Sequence, residues 1–222
     1  MADPHKVTRD FEAAMCEYTG APYCVTTNSC TMALLLAVAW HLRPGPQLLR
    51  DEYGSPELRR EQIEIPARTY VGVPMSIIHA GGQPGFRDED WSRYGYYRLR
   101  PLSVWDSARF LSAGMFEHFA GSQPSPMVCL SFHATKTLGI EQGGAILLES
   151  PDVADWLRRM RFDGRTEGVP VKDDDIRDIG WHCYMNPSTA AQGLMRMAGL
   201  PKHNAPLPMS DYPDLSLMNC FR

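Results

Sequence analysis

The chain has 222 residues, 44% of them hydrophobic, and a formal net charge of −4 at pH 7. That length can bury a real core in one large domain or two small ones, and the acidic balance gives no general electrostatic reason to expect nucleic acid or an anionic membrane as partner. Six scattered cysteines, with no C-x-x-C pair and no Cys/His cluster at zinc spacing, point to no metal site and read as reduced thiols of a cytoplasmic protein.

The first fifteen residues lack the apolar core of a signal peptide, and no window has the length needed to cross a bilayer, so a soluble, cytoplasmic protein is expected. Thr8–Thr19 places Phe11, Ala14, Met15 and Tyr18 at helical spacing, with Gly20 as a stop. A short strand at Tyr23–Thr26 then turns at Thr27-Asn28-Ser29 into an apolar helix from Thr31 to about Leu42. Strand, polar turn and helix start together make an anion site, because the unpaired first-turn amides point outward with the positive end of the helix dipole.

Arg43–Glu61 is a connection rich in Pro, Gly and charge. Beyond it the spacing predicts a strand at Ile63–Ile65, a helix over about Val71–His79, and a strand at Gln83–Arg87. Asp88–Leu99 reads as a loop or short insertion, and its Asp88-Glu89-Asp90 triplet as solvated acid, since consecutive loop residues seldom converge on one ion. Strands ending at Asp106 and near Phe132 follow, then a third in "GGAILLES". Next come a helix in "SPDVADWLRRMRF", capped by Ser150 or Asp152, and a helix from Asn186 whose small residues suit close packing. The basic strip Leu157–Arg165 reads as a solvated helix face beside the acidic run Asp173–Asp175. This alternation predicts an α/β domain over residues 1–200, built on a largely parallel sheet flanked by helices, with residues 201–222 as a proline-rich tail or wrapping arm.

Ligands of open α/β sheets sit beyond the carboxyl ends of strands. Four polar groups fall at such ends: Asn28-Ser29 with Thr31, Thr69-Tyr70, Asp106, and Ser131 with His133 and Lys136. Singly each is an ordinary turn, cap or surface residue. Together they match the needs of pyridoxal 5'-phosphate, which takes a lysine amine for its Schiff base and a carboxylate against its ring nitrogen. It also takes a helix N-terminus with hydroxyls for its phosphate and an aromatic plate over the ring. Lys136, Asp106, Ser29/Cys30/Thr31 with Ser131, and Tyr70 supply these in turn.

Through "FEAAMCEYTGAPYCVTTNSCTMALLLAV", "IPARTYVGVPMSIIHAGGQPGFRD", "VWDSARFLSAG", "SFHATKTLGIEQGGAILLES", "RRMRFDGR" and "IGWHCYMNPSTAAQGLMRM", the chain resembles the nucleotide-sugar aminotransferases of the DegT/StrS type. These belong to the type I fold of pyridoxal-phosphate enzymes. The resemblance implies the large domain of the aspartate-aminotransferase-like fold, without most of the small C-terminal domain that family members carry beyond the helix at Asn186–Leu200. It implies that Lys136 carries the internal aldimine and that Asp106 holds the ring nitrogen. Cys30 and Thr31, with Ser131, would hold the phosphate, and Tyr70 would stack on the ring. It further implies a homodimer that takes an amino group from glutamate or glutamine to a keto-sugar nucleotide or related acceptor. Two readings of another kind stay open. One is a lyase, dehydratase or decarboxylase using the same lysine on an unusual or larger substrate such as a modified nucleotide. The other is a non-catalytic partner of a full-length enzyme.

The sequence departs from the family pattern at two site positions. Arg109 stands where the family has a glutamine or histidine against the cofactor's ring hydroxyl; it is either a donor to that oxygen or a surface arginine in a helix's first turn. His182 stands where an asparagine reaches the partner subunit's phosphate; it is either a substitute donor or a structural histidine. His133, beside the lysine, either touches cofactor or substrate or only packs. Cys30 is read as a tolerated small residue and not as a nucleophile.

Overall fold

The computed structural model describes residues 3, 5–43 and 62–221. The elements run α1 (Lys6–Thr19), β1 (Tyr23–Thr27), α2 (Cys30–Leu42), β2 (Gln62–Pro66), α3 (Gly72–His79), β3 (Gln83–Arg87), β4 (Tyr97–Leu99) and β5 (Val104–Asp106). There follow α4 (Phe116–Ala120), β6 (Met127–Ser131), β7 (Gly144–Leu148), α5 (Pro151–Met160) and α6 (Pro187–Met197). Of the connection expected at Arg43–Glu61, residues 44–61 lie outside the described residues.

The sheet is mixed rather than largely parallel. Five strands pair in the order β1-β7-β6-β5-β4, and only β5–β6 is parallel among them. β2 and β3 form a separate parallel pair, tied toward β4 by an antiparallel bridge between Glu64 and Arg100. The physical reason lies in the connections. The chain passes from β4 to β5 and from β6 to β7 through segments without a helix, and a parallel return needs a long crossover, usually helical. The directions nevertheless leave β1, β5 and β6 pointing the same way, and the bridge gives β2 that sense too, so their carboxyl ends share one edge.

Helices cover both faces. Along β7, Ile146 and Leu148 join α2, α3 and α5 on one side, while Ala145 and Leu147 join α1, α4 and α6 on the other. This period of two explains why β6 and β7 read as unbroken apolar runs. Each wholly buried Leu, Ile or Phe adds about 1.5–3 kcal/mol relative to exposure. The helix starts are set locally: Ser29, Ser150 and Asn186 each accept a first-turn amide of the helix they precede.

The basic strip is not simply a solvated face. Arg161 is wholly buried and binds Glu12 of α1, the Thr26 carbonyl of β1 and Glu167. Glu12 in turn accepts from the amide and hydroxyl of Thr26, both at 2.9 Å. This knot joins α1, β1 and the end of α5, and the two carboxylates hold the guanidinium charged despite its burial. Asp88–Leu99 also differs from the loop reading, because Tyr97–Leu99 forms β4.

Candidate active site

The shared carboxyl edge of the strands opens into a cavity of about 460 Å³. Nine of the ten residues expected from sequence line it: Ser29, Cys30, Thr31, Tyr70, Asp106, Arg109, Ser131, His133 and Lys136. The tenth, His182, does not. It sits on a bridge to Phe162, its side chain 70% exposed, with Nδ1 at 2.7 Å from Asp163.

One wall is the first turn of α2. Ser29 is the cap, accepting the Met32 amide at 3.2 Å, and its carbonyl accepts the Ala33 amide. The amides of Cys30 and Thr31 therefore remain at the positive end of a thirteen-residue helix. β7 passes very close beneath: a Cβ on Gly144 would lie 2.5 Å from the Cys30 nitrogen. Only glycine lets the strand and the turn approach so far, which gives the Gly-Gly step after the lysine loop its purpose. The Cys30 thiol is buried, and burial, reinforced by the charge of Asp106, pushes it well above the ordinary range, so it stays neutral.

The floor is Asp106, 4% exposed at the end of β5. Its Oδ1 accepts the Ala108 amide at 2.9 Å and its Oδ2 the Tyr97 hydroxyl at 2.8 Å, while Tyr97 lies 2.7 Å from Thr69 Oγ1. Burial raises the Asp106 carboxyl above its usual range, opposed by these hydrogen bonds and by the positive charge of Lys136. Tyr97 keeps its proton, since burial and then the neighbouring carboxylate push its phenol well above normal.

Lys136 follows β6 in a loop turned by its amide bond to the His133 carbonyl at 2.8 Å. Its side chain is half-buried and joins no salt bridge among the described residues. His133 Nδ1 accepts the Thr135 amide at 3.3 Å, so this ring nitrogen is engaged within the loop. Tyr70 stands opposite, 55% exposed; a Cβ on Gly72 would come within 2.7 Å of its ring and 3.0 Å of Thr31 Oγ1.

Among the lining residues not foreseen are Tyr97's neighbour Trp91, Gln142, and Ser210 and Tyr212 from the proline-rich segment. That segment straps the cavity mouth. The Leu207 amide donates to the Arg109 carbonyl at 2.8 Å, Tyr212 stacks on Trp91 with ring centroids 6.4 Å apart, and the Leu215 amide donates to the Ala67 carbonyl at 2.9 Å. Tyr97 itself escaped because it sits in a three-residue strand inside a polar stretch. Arg109 is not a surface arginine: it is 7% exposed and grips the strap.

The family model described as DegT/DnrJ/EryC1/StrS aminotransferase matches residues 3–95 and 103–206. The chain belongs to this aminotransferase family. Its members are pyridoxal-phosphate-dependent. A curated relative, the UDP-4-amino-4,6-dideoxy-N-acetyl-beta-L-altrosamine transaminase of Campylobacter jejuni, is 21% identical over 224 residues, covering 90% of this chain and 58% of its own length. Among solved structures, Helicobacter pylori PseC, an aminotransferase involved in the biosynthesis of pseudoaminic acid, matches with a TM-score of 0.63 at 18% identity. That match covers 88% of this chain and 58% of PseC. The sugar aminotransferase CalS13 of Micromonospora echinospora matches with a TM-score of 0.65 at 19% identity, covering 88% and 61%. The DegT/DnrJ/EryC1/StrS chain thus spans less than two thirds of the length of these relatives. The two places that the family model leaves unmatched within the described chain are residues 96–102, which carry β4 and Tyr97, and the strap from residue 207 onward.

Proposed function

We propose that this chain binds pyridoxal phosphate and forms the catalytic portion of an aminotransferase that moves an amino group from glutamate or glutamine to a keto-sugar nucleotide. The observation that carries this reading is the meeting, in one cavity, of the Lys136 amine, the buried Asp106 carboxylate and the amide end of α2. The residues fit the cofactor on physical grounds. Asp106 is a buried carboxylate whose ionised form is disfavoured by its surroundings, and a protonated ring nitrogen is the partner that would relieve this. The start of α2 offers the Cys30 and Thr31 amides, beside the hydroxyls of Ser29, Thr31 and Ser131, to receive a phosphate.

When bound, pyridoxal phosphate supplies an electron sink that acidifies the α C–H of an attached amino acid and stores its amino group between two half-reactions. In this assignment Asp106, steadied by Tyr97, would hold the ring nitrogen's proton, and Tyr70 would cover the ring face. Ser29, Thr31 and Ser131 hold the phosphate. Lys136 Nζ would hold the cofactor and would serve as the base that takes the substrate's α proton and the acid that returns it.

A homodimer is part of the proposal. It is supported by His182 standing outside the cavity, and by the exposed apolar side chains of Val171, Ile176 and Ile179 in the segment leading to it, Ile179 being 94% exposed.

The test is the visible absorption of the purified chain with pyridoxal phosphate, before and after glutamate or glutamine. A band that is lost in Lys136→Ala and bleaches with the donor is expected. A band unaffected by Lys136→Ala, or unmoved by either donor, would overturn the reading.

A further inference from the structure

Two arginines of the described chain are sealed from solvent, and their surroundings differ in kind. Arg161 meets two carboxylates, Glu12 and Glu167. Arg109, 7% exposed, meets none among the described residues. Its Nη1 donates to Ser210 Oγ at 2.9 Å and to Tyr212 Oη at 3.4 Å, and its Nε to the Leu207 carbonyl at 3.4 Å. A guanidinium removed from water among neutral acceptors is costly unless an anion joins it.

The placement of Arg109 supplies a route to one. It lines the cavity together with Ser210 and Tyr212. Each of these hydroxyls accepts from the guanidinium, so each has its own proton to donate elsewhere. A planar cation with two flanking hydroxyl donors suits a carboxylate, which the guanidinium fork can take in bidentate fashion. The cofactor's ring nitrogen and phosphate are matched by Asp106 and the start of α2, and Arg109, turned toward the strap by its bonds to Leu207, Ser210 and Tyr212, suits an anion brought by another reactant more than the cofactor's ring oxygen.

We propose that Arg109, Ser210 and Tyr212 form a subsite for the carboxylate of the amino-acid substrate. This rests on the aminotransferase reading above. The strap carrying two of its three members lies beyond the family match, so the subsite is a device of this chain. The carboxylate and the strap hydroxyls would then share the same guanidinium.

The test uses the cofactor-loaded chain with succinate as an unreactive carboxylate probe and succinamide as its uncharged counterpart. Arg109→Gln is expected to weaken succinate by roughly ten- to hundredfold, the range of a lost charged hydrogen bond, with cofactor affinity and succinamide unchanged. Tyr212→Phe and Ser210→Ala, which remove only hydroxyls, are expected to weaken it less, and they carry the test if Arg109→Gln does not fold. Arg109→Lys is expected to recover part of the loss. Equal succinate affinity in wild type and all three neutral variants would overturn the proposal. So would a selective loss of cofactor affinity in Arg109→Gln, which would assign the guanidinium to the cofactor ring instead. Succinate binding that depends on Arg109 in a protein whose absorption ignores Lys136 would sink the aminotransferase reading and leave the carboxylate site standing.

Discussion

Tyr97 and Asp106 face each other across the β4–β5 pair, and the phenol donates to the carboxylate at 2.8 Å while its oxygen lies 2.7 Å from Thr69. One side chain thus links the ends of β2 and β5. It comes from the stretch that the family model does not match.

Removing that hydroxyl should be felt in both stability and site. Tyr97→Phe leaves Asp106 and Thr69 each short of a partner in a buried place, at a cost of about 1–3 kcal/mol. The expected drop in Tm is about 2–4 °C per kcal/mol for a chain of this size. Thermal unfolding without cofactor checks it, and a Tm equal to wild type would refute the link.

Asp106 makes stability depend on pH in an unusual direction. Burial raises its folded pKa above the unfolded value of 3.8. Its contribution is therefore fully favourable below pH 3.8 and is lost as pH rises through the raised value. Without cofactor, Asp106→Asn should accordingly gain stability over wild type as pH climbs from 4 toward neutrality, with the gap closing on the acid side. Addition of pyridoxal phosphate should reverse the order near pH 7. Tm against pH for both proteins, with and without the cofactor, decides the matter.

Gly144→Ala would thrust a Cβ to within 2.5 Å of the Cys30 amide. The β7 strand must then retreat from the turn proposed to receive the phosphate, and pyridoxal phosphate affinity should fall by roughly tenfold or more, about 1.4 kcal/mol. Gly199→Ala, which meets no atom within 4 Å, is the control. Equal cofactor affinity in the two variants would contradict the close-approach argument.

The knot at Arg161 predicts a stability effect away from the cavity. Arg161→Met leaves buried Glu12 only the longer ion pair to Arg158, at 3.7 Å, and should cost about 3–5 kcal/mol in urea unfolding. Adding Glu12→Gln should recover part of that loss, because the two changes share one network. Strict additivity would show that the pair is not coupled.

The parts of the fold carried by long apolar runs were legible in the sequence. The β1–α2 turn, β6 and β7 could be read because strand, polar turn and helix start follow one another without interruption. Nine cavity residues followed, since each sits at a strand end or in the turn or helix start that follows it. Strand direction was not legible, because it depends on whether a connection crosses the sheet, and the β4–β5 and β6–β7 links have no helix to signal their return. Arg161 was masked by its basic neighbours, two of which are indeed partly exposed. Ser210 and Tyr212 lie about a hundred residues from Arg109, and no local pattern encodes so distant a contact.

The distance between the lysine loop and the strap also has a temporal side. During synthesis at roughly 5–20 residues per second, Lys136 leaves the ribosome several seconds before Ser210 and Tyr212 do. On the assignments proposed above, the residues of the cofactor site are thus made before those of the carboxylate subsite, so the order of synthesis places cofactor recognition ahead of substrate recognition.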